Sequence, residues 1–405
     1  MNVALYCPRI SQTGGAERTI LELSRRSDHQ YTLFTHCFDG DRTFPELKRQ
    51  KITALPKIPA ERNFGCVARA MWGVISQSLP DGFDVLLVIC EGFGDLIVLR
   101  NYRTPVVCVC LTPVRMVFDS AYRDRALMKG SFGERLAIQV ARRAYQIVDC
   151  LAWQRFERVI CVSHEVKKRV LDGRLTRDSC VEVAPLGPRF DVRPGSRVFE
   201  RYFFVPCTIG DLTNLELVVT AFERFQKQQR GHSEFRMIVA VYTDTSEPEE
   251  WKELRNRVEK NPAVEIRVNA SEEELEQLYR NCYTVLFTAQ NCDLAVVPLE
   301  AMSFGKPVIA ANSRCARELI SDKVDGFLEE LSPESFASRM TSLALDPFQA
   351  FVIGLEGFKK AQRCSWNQFC ARVDQAMESV VFPDPIEHLN GSDISRDDGE
   401  PAGYR

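Results

Sequence analysis

The sequence predicts an α/β protein made of two doubly wound domains, each with a parallel sheet covered by helices on both faces. Short apolar segments alternate with helical patterns along most of the 405 residues, which is typical of repeated βαβ units. Several of these segments, such as Val106–Cys110, are apolar at every position, as strands buried on both faces are. A stretch rich in proline and glycine at 185–197 interrupts the alternation, so we expect the chain to divide there.

The individual elements follow from these periodicities and from their flanking residues. In the first half, strands are predicted at Val3–Cys7, Tyr31–Thr35, Asp84–Ile89, Val106–Cys110, Val159–Val162 and Val181–Ala184, and helices at Ala16–Arg26, Glu134–Phe156 and His164–Asp172. In the second half, strands are predicted at Tyr202–Val205, Arg236–Val241, Val264–Val268, Tyr283–Thr288 and Pro307–Ala311. The helices there are predicted at Asn214–Gln228, Glu249–Lys260, Ser271–Asn281, Val297–Phe304 and Cys315–Ile320, with further helices over 333–381. Ser271 and Glu274 form a capping box.

The same breaks predict the domain boundaries. We expect an N-terminal domain over 1–188, a hinge over 189–200 and a second domain over 201–364, followed by a last helix over 365–381. The segment 382–405 is acidic and polar and contains proline and glycine, so it is predicted to be a disordered tail. A cleft between two such domains is the usual place for a ligand.

Composition excludes several classes of protein. The net charge of −3 gives no reason to expect nucleic acid as a partner. The N-terminus has no signal-peptide pattern, and no apolar run reaches the roughly 20 residues of a membrane span, so we predict a cytoplasmic protein. The 15 cysteines are scattered singly, several of them in apolar strands at Cys90, Cys108, Cys110 and Cys161. This spacing favours buried free thiols over disulfide bonds or zinc ligands.

Two motifs are candidates for a binding site. Gly14 and Gly15 stand between the first strand and the first helix, where the backbone can approach an anion at the helix N-terminus; a purely structural turn is the alternative. In the segment 293–328, a loop enters a helix at about Val296. Glu300 is predicted in the first turn of that helix, facing the cleft, where its carboxylate can accept two ribose hydroxyls. The alternative is an acidic residue that complements the helix dipole.

With these motifs in place, the chain resembles the retaining family-4 glycosyltransferases of the GT-B fold over roughly residues 2–380. The resemblance rests on GGAER at 14–18, VICVSHEVKKRVL at 159–171, VAPLG at 183–187, VVPLEAMSFGKPVIAANSRCARELI at 296–320, and Ser365–Trp366. It implies two facing Rossmann-like domains, with the acceptor bound on the first, the donor bound on the second, and the last helix crossing back to the first. It also implies a nucleotide-diphosphate sugar as donor, a glycan or lipid-linked acceptor, and no metal ion.

The resemblance assigns donor contacts to named residues. Glu300 would hold the donor ribose, and Gly14 and Gly15 would line the cleft beside the phosphates. The helix mouth formed by Leu294, Ala295 and Val296 would contact sugar and phosphate.

At four positions the chain departs from the family pattern. In the family, an Arg and a Lys clamp the donor diphosphate, and the matching positions in this chain are Thr208 and Thr213. The family also has two paired glutamates, and the position of the first is Cys292 in this chain. A histidine of the first domain falls on Leu111. Asp293 is adjacent to Cys292 and could replace the missing carboxylate. Lys306, Arg314 or Arg18 near Thr208 would indicate a relocated phosphate clamp.

On the acceptor side, Arg115 and Asp119 could bind an acceptor or simply pair with each other. A group of basic residues surrounds them: Arg115, Arg123, Arg125, Lys129, Arg135, Arg142 and Arg143. These could contact an anionic membrane at its inner face, or could form an ordinary solvated helix face.

We therefore predict a glycosyltransferase that moves a sugar from a nucleotide sugar to a glycan or lipid-linked acceptor in polysaccharide or glycoconjugate synthesis. The alternative is a catalytically inactive relative that binds a glycan or a protein partner, because fold alone does not establish activity.

Overall fold

The chain forms two compact units in a computed structural model that describes residues 1–59, 64–119, 123, 132–190, 199–208, 212–229, 234–243, 249–290 and 292–383. The first unit comprises 1–161 and 169–182 together with the chain from Cys370, and the second comprises 162–168 and 183–369. The predicted boundaries at 188 and 201 stay predictions. Residues 191–198 of the predicted hinge and 384–405 of the predicted tail lie outside the described residues.

The first unit contains a seven-stranded sheet. Its strands are β1 (Asn2–Tyr6), β3 (Gln30–Thr35), β5 (Ile52–Ala54), β6 (Val85–Cys90), β7 (Val106–Cys110), β8 (Arg158–Cys161) and β9 (Val181–Val183), and a small separate pair is formed by β2 (Arg9–Ile10) and β4 (Cys37–Phe38). The spatial order is β5-β3-β1-β6-β7-β8-β9. β1 pairs in parallel with β3 and β6, β6 pairs with β7, and β7 pairs with β8, so the predicted parallel sheet is confirmed.

Helices cover this sheet. They are α1 (Gly15–Arg26), α2 (Phe64–Ser76), α3 (Arg115–Phe118), α4 (Phe132–Trp153) and α5 (His164–Asp172), with short 3₁₀ helices at Pro45–Arg49, Gly94–Leu99 and Asp178–Cys180. α2, which begins at Phe64, was not predicted from the sequence, because its 13 residues include two glycines that weaken a helical pattern. All six residues of β6 are buried, and for this reason its sequence is apolar throughout and does not alternate between apolar and polar residues.

The second unit repeats the architecture with six strands. These are β10 (Tyr202–Thr208), β11 (Arg236–Tyr242), β12 (Val264–Val268), β13 (Thr284–Phe287), β14 (Val308–Ala311) and β15 (Phe327–Glu329). Their order is β12-β11-β10-β13-β14-β15, and every neighbouring pair is parallel. β15 was not predicted, because it has only three residues.

The helices of the second unit agree closely with the predicted ones. They are α6 (Leu212–Gln228), α7 (Glu249–Val258), α8 (Glu272–Asn281), α9 (Val296–Ser303), α10 (Arg314–Leu319), α11 (Pro333–Leu345) and α12 (Pro347–Ala361). The predicted cap is confirmed, since the Ser271 hydroxyl accepts the backbone N–H of Glu274 at 3.2 Å. Gly305 follows α9 with a φ of +66°, a left-handed conformation that favours glycine at a helix end.

The last helix, α13 (Trp366–Val381), begins in the second unit and continues into the first at Cys370. In the first unit, Val373 and Met377 are fully buried, and the Asp374 carboxylate accepts the Ser27 hydroxyl at 2.8 Å. Within the described residues, no helix combines the length and the apolar character that a membrane crossing requires.

Candidate active site

Each sheet has one point where successive connections run in opposite directions. In the first unit this point lies between β1 and β6, and in the second unit it lies between β10 and β13. Ligands of open α/β sheets bind outside the carboxyl ends of the strands at such points. The Gly14–Gly15 segment follows β1, and the loop that leads into α9 follows β13. The topology therefore puts both predicted motifs after strands that flank these points, and their role in ligand binding stays a prediction.

The glycine loop of the first unit is folded around a buried glutamate. Glu17 is 2% exposed, and its carboxylate accepts the backbone N–H groups of Ser11 at 3.1 Å and Gln12 at 3.2 Å. A Cβ at Gly14 would lie 2.9 Å from the Glu17 carboxylate, whereas a Cβ at Gly15 would meet open space. Packing against Glu17 thus explains the glycine at position 14. Glu17 was not predicted as a site residue, although a glutamate in the first turn is typical of a helix start.

Arg115 and Asp119 pair with each other, which was one of the two predicted arrangements. Their side chains approach to 3.3 Å. Arg169, which is 8% exposed, approaches Asp119 to 3.6 Å and donates to the Thr112 hydroxyl at 3.0 Å. Leu111 is half-buried immediately after β7, next to this network. Arg169 was not predicted, because it follows α3 by some fifty residues in sequence.

In the second unit, the loop before α9 is held at both ends. The Ser163 hydroxyl donates to the backbone carbonyl of Asp293 at 2.6 Å, and the Asn214 amide donates to the Thr288 carbonyl at 3.1 Å. Leu294 and Val296 are half-buried. Ala295 occupies the cap position, and no side chain caps the helix there. The N-terminus of α9 therefore remains suited to an anionic ligand group.

Cys292 forms a disulfide bond with Cys315, so the prediction of free thiols throughout was wrong at this pair. The two residues are 23 positions apart in sequence. They meet because β14 returns beside β13, which places the start of α10 near the end of β13. Cys90, Cys108, Cys110 and Cys161 are free and buried, as predicted.

Glu300 is the fifth residue of α9, so its predicted place in the first helical turn was wrong. The helix begins at Val296, and one turn takes only 3.6 residues. The Glu300 side chain is 3% exposed, and its carboxylate lies 3.3 Å from Nε of Arg189, whose side chain is 37% exposed. Arg189 is a site residue that the sequence analysis missed.

Tyr279 on α8 lies against the same carboxylate. The residue is fully buried. Burial, reinforced by the charge of Glu300, raises the pKa of the Tyr279 hydroxyl well above its ordinary value. Tyr279 is thus neutral at physiological pH.

The cations considered for a relocated phosphate clamp are engaged elsewhere. Arg314 lies 2.9 Å from Glu165, Lys306 is fully buried with its ammonium 4.0 Å from the centre of the Phe199 ring, and Arg18 stacks over Phe44. The side chains of Thr208 and Thr213 lie outside the described residues. Among the residues that are described, no group of three or more His, Cys, Asp or Glu side chains could hold a metal ion.

Comparison with known proteins agrees with this arrangement. The model described as "Glycosyltransferase Family 4" matches residues 13–187, and the model described as "Glycosyl transferases group 1" matches residues 200–367. The chain belongs to family 4 of the glycosyltransferases. This family uses nucleotide-sugar donors and works without a metal ion.

The curated relatives match over part of the chain. The α-1,3/1,6-mannosyltransferase ALG2 of Mus musculus is 32% identical over 137 residues, which is 33% of this chain and 33% of that protein. The ALG2 protein of Dictyostelium discoideum is 28% identical over 181 residues, or 41% of this chain and 43% of that protein. The matching regions thus span between a third and a half of the length of these relatives.

Solved structures match over nearly the whole chain. Anabaena Alr3699/HepE in complex with UDP and glucose superposes with a TM-score of 0.67 at 15% identity, covering 94% of this chain and all of that one. WaaG, a glycosyltransferase involved in lipopolysaccharide biosynthesis, has a TM-score of 0.64 at 14% identity and covers 93% and 99%. The predicted GT-B fold, with two parallel α/β sheets, is confirmed.

Proposed function

We propose that this protein transfers a hexose from a nucleotide-diphosphate sugar to a hydroxyl group of a glycan or lipid-linked acceptor, with retention of configuration. The observation that carries the proposal is the buried Glu300 carboxylate beside Arg189 and Tyr279, on the helix that follows β13 at the switch point of the second unit. A buried carboxylate at the carboxyl edge of such a sheet is suited to accept two vicinal ribose hydroxyls.

The remaining donor contacts are proposed from their places in the fold. The uncapped N-terminus of α9, formed by Leu294, Ala295 and Val296, would receive the phosphate and sugar. Asp293, whose carbonyl is fixed by Ser163, would present its carboxylate to the transferred sugar in place of Cys292. In the first unit, a Cβ at Gly15 would meet open space, so the backbone there is open to a ligand group at the start of α1.

The test of this proposal is a calorimetric titration with UDP-, GDP- and ADP-sugars at concentrations up to millimolar. We expect one nucleotide class to bind, and Glu300→Ala to weaken it by about 10- to 150-fold, because a charge-assisted hydrogen bond contributes about 1.5–3 kcal/mol. Glu330→Ala, which removes an exposed carboxylate of the same unit, is the control and should bind like the wild type. Absence of binding for every nucleotide sugar would contradict the enzyme and favour a glycan- or partner-binding protein.

We also propose that the protein works at the cytoplasmic face of an anionic membrane through α4. Leu136, Val140, Ile147 and Leu151 are between 53% and 66% exposed, and their spacing places them along one face of the helix. The exposed Arg143 lies next to this stripe on the helix. Arg142 lies on the other, half-buried side of α4, where burial and the neighbouring charges of Arg123 and Arg143 lower its pKa. An apolar stripe flanked by an exposed arginine is suited to anionic lipid headgroups. The predicted Arg125 and Lys129, and the side chain of Arg135, lie outside the described residues.

Co-sedimentation with vesicles tests the membrane proposal. The wild type should bind vesicles that contain phosphatidylglycerol and should not bind pure phosphatidylcholine. The double variant Val140→Ser, Ile147→Ser should lose binding, whereas Val324→Ser, an exposed apolar position of the second unit, should keep it. Equal sedimentation of both variants would show that α4 is an ordinary solvated face.

A further inference from the structure

Arg189 is fixed in place by its two neighbours in sequence. The carbonyl of Pro188 accepts the indole N–H of Trp366 at 2.9 Å. On the other side, the Phe190 ring packs against the rings of Tyr279 and Phe304. Because the backbone is anchored on both sides, pairing with Glu300 costs only the rotamer freedom of the Arg189 side chain.

The pair is asymmetric in its exposure. The Glu300 side chain is 3% exposed and the Arg189 side chain is 37% exposed. A carboxylate that is this deeply buried is costly unless a cation balances it. Among the described groups, Tyr279 on α8 interacts with Glu300, and Cys282, just after α8, interacts with Tyr279; burial raises the pKa values of both. The buried ammonium of Lys306 interacts with Cys282 and lies against the Phe199 ring. Because the tyrosine and the cysteine are neutral, Arg189 is the cation beside Glu300 that the described contacts identify.

We propose that Arg189 is the positioning residue of the donor site, which keeps Glu300 ionised and oriented so that both of its oxygens accept ribose hydroxyls. This proposal rests on the proposed function. It adds Arg189, which lies in the segment before the second sheet, to the residues that form the donor site. Only the ionised carboxylate accepts two hydroxyl protons at once, because the protonated form turns one oxygen into a donor. The partly exposed guanidinium leaves room for the nucleotide on the solvent side.

This role predicts a particular kinetic pattern. The ribose lies away from the bond that breaks, so its contact with Glu300 is the same in the ground state and in the transition state. Loss of Arg189 should therefore raise Kd and KM for the donor and leave kcat nearly unchanged. It should also make donor binding dependent on pH, because a buried carboxyl without a cation takes up a proton near neutral pH.

The experiment measures donor Kd at pH 6, 7 and 8.5 for the wild type, Arg189→Met and Arg189→Lys, using the nucleotide sugar that the wild type binds. We expect the wild type and Arg189→Lys to bind similarly at all three values. Arg189→Met should bind about 10- to 100-fold more weakly at pH 6, as expected for loss of a charge-assisted contact, and should recover as the pH rises. Arg224→Met is the control, since Arg224 also pairs with a glutamate, Glu334, but both side chains are well exposed.

Three results would overturn the proposal. Unchanged affinity in Arg189→Met would show that Glu300 needs no cation, and tighter binding would show that Arg189 blocks the site. Weakening that is equal at every pH and is not rescued by Arg189→Lys would indicate a purely structural residue. If the wild type binds no nucleotide sugar, the proposed function fails first. Melting temperatures of all variants, measured at the same three pH values, separate a folding defect from a binding defect.

Discussion

Two buried clusters, one in each unit, treat their reactive side chains in opposite ways. In the second unit, Glu300 is paired with an arginine and Cys292 with a cysteine. In the first unit, like groups lie side by side: Asp95 and Asp149, both 1% exposed, interact with each other. Free thiols also occupy neighbouring strands in register there, Cys90 beside Cys110 and Cys110 beside Cys161.

This difference shows two solutions to the cost of burying charge. Burial, together with the neighbouring charge of Asp149, raises the pKa of Asp95 well above its ordinary value. Burial raises the pKa of Asp149 to about 6. Within the described residues, neither carboxyl forms an ion pair with a lysine, arginine or histidine. The first unit thus sets the Asp95 and Asp149 carboxyl groups side by side with raised pKa values, whereas the second unit sets a guanidinium beside the buried Glu300 carboxyl.

The largest expected effect comes from breaking the disulfide bond. Cys292→Ser should lower the free energy of unfolding by about 3 kcal/mol, because the bond closes a loop of 23 positions and restricts the unfolded chain. Urea unfolding without reductant measures the loss. With dithiothreitol present, the variant and the wild type should become equally stable. Equal stability without reductant would show that the bond contributes nothing in solution.

The carboxyl pair should give a smaller effect that depends on pH. The pKa of Asp149 is raised from about 3.9 in an unfolded chain to about 6 in the folded one. A raised pKa means that stability present at low pH is lost as the pH rises through this interval, here by about 2–3 kcal/mol.

The variant Asp149→Asn keeps an acceptor for the Tyr145 hydroxyl, which donates to Asp149 at 3.1 Å. This variant should not lose stability as the pH rises, because it has no carboxyl to titrate at this position. Thermal unfolding between pH 4.5 and 7.5 measures the change in stability. Asp28→Asn, at an exposed position, is the control and should follow the wild type. A wild-type melting temperature that rises over this interval, or a slope that Asp149→Asn retains, would contradict the assignment.

The smallest effect is expected at the thiols of the first unit. Cys110→Ala removes one buried sulfur atom and should cost about 1 kcal/mol. Because Cys110 is free, dithiothreitol should change the stability of this variant and of the wild type by the same amount. A difference between the two responses would indicate that Cys110 forms a disulfide bond in solution, and the contrast between the units would then disappear.

The fold could be predicted from the sequence because its elements are encoded locally. Val106–Cys110 is apolar at every position, and β7 has these same bounds; Ser271 and Glu274 mark the start of α8, and the structure shows that cap. The site was less predictable, because its contacts join distant parts of the chain. Arg189 and Glu300 are 111 positions apart in sequence. They meet because of the path of the chain around the second sheet, and no local sequence pattern predicts this pair. Cys292 and Cys315 likewise meet only because two strands are neighbours.

The hydrogen bond between Ser27 and Asp374 spans 347 positions of sequence, and this has a consequence for how the protein is made. On the ribosome, the end of α1 at Ser27 emerges early, and the Asp374 residue that it contacts emerges 347 positions later. At 5–20 residues per second, the interval is about 20 to 70 seconds. Throughout that time the first unit is incomplete while the whole second unit is synthesised. The nascent chain therefore leaves the end of α1 at Ser27 without its α13 contact until α13 has been made.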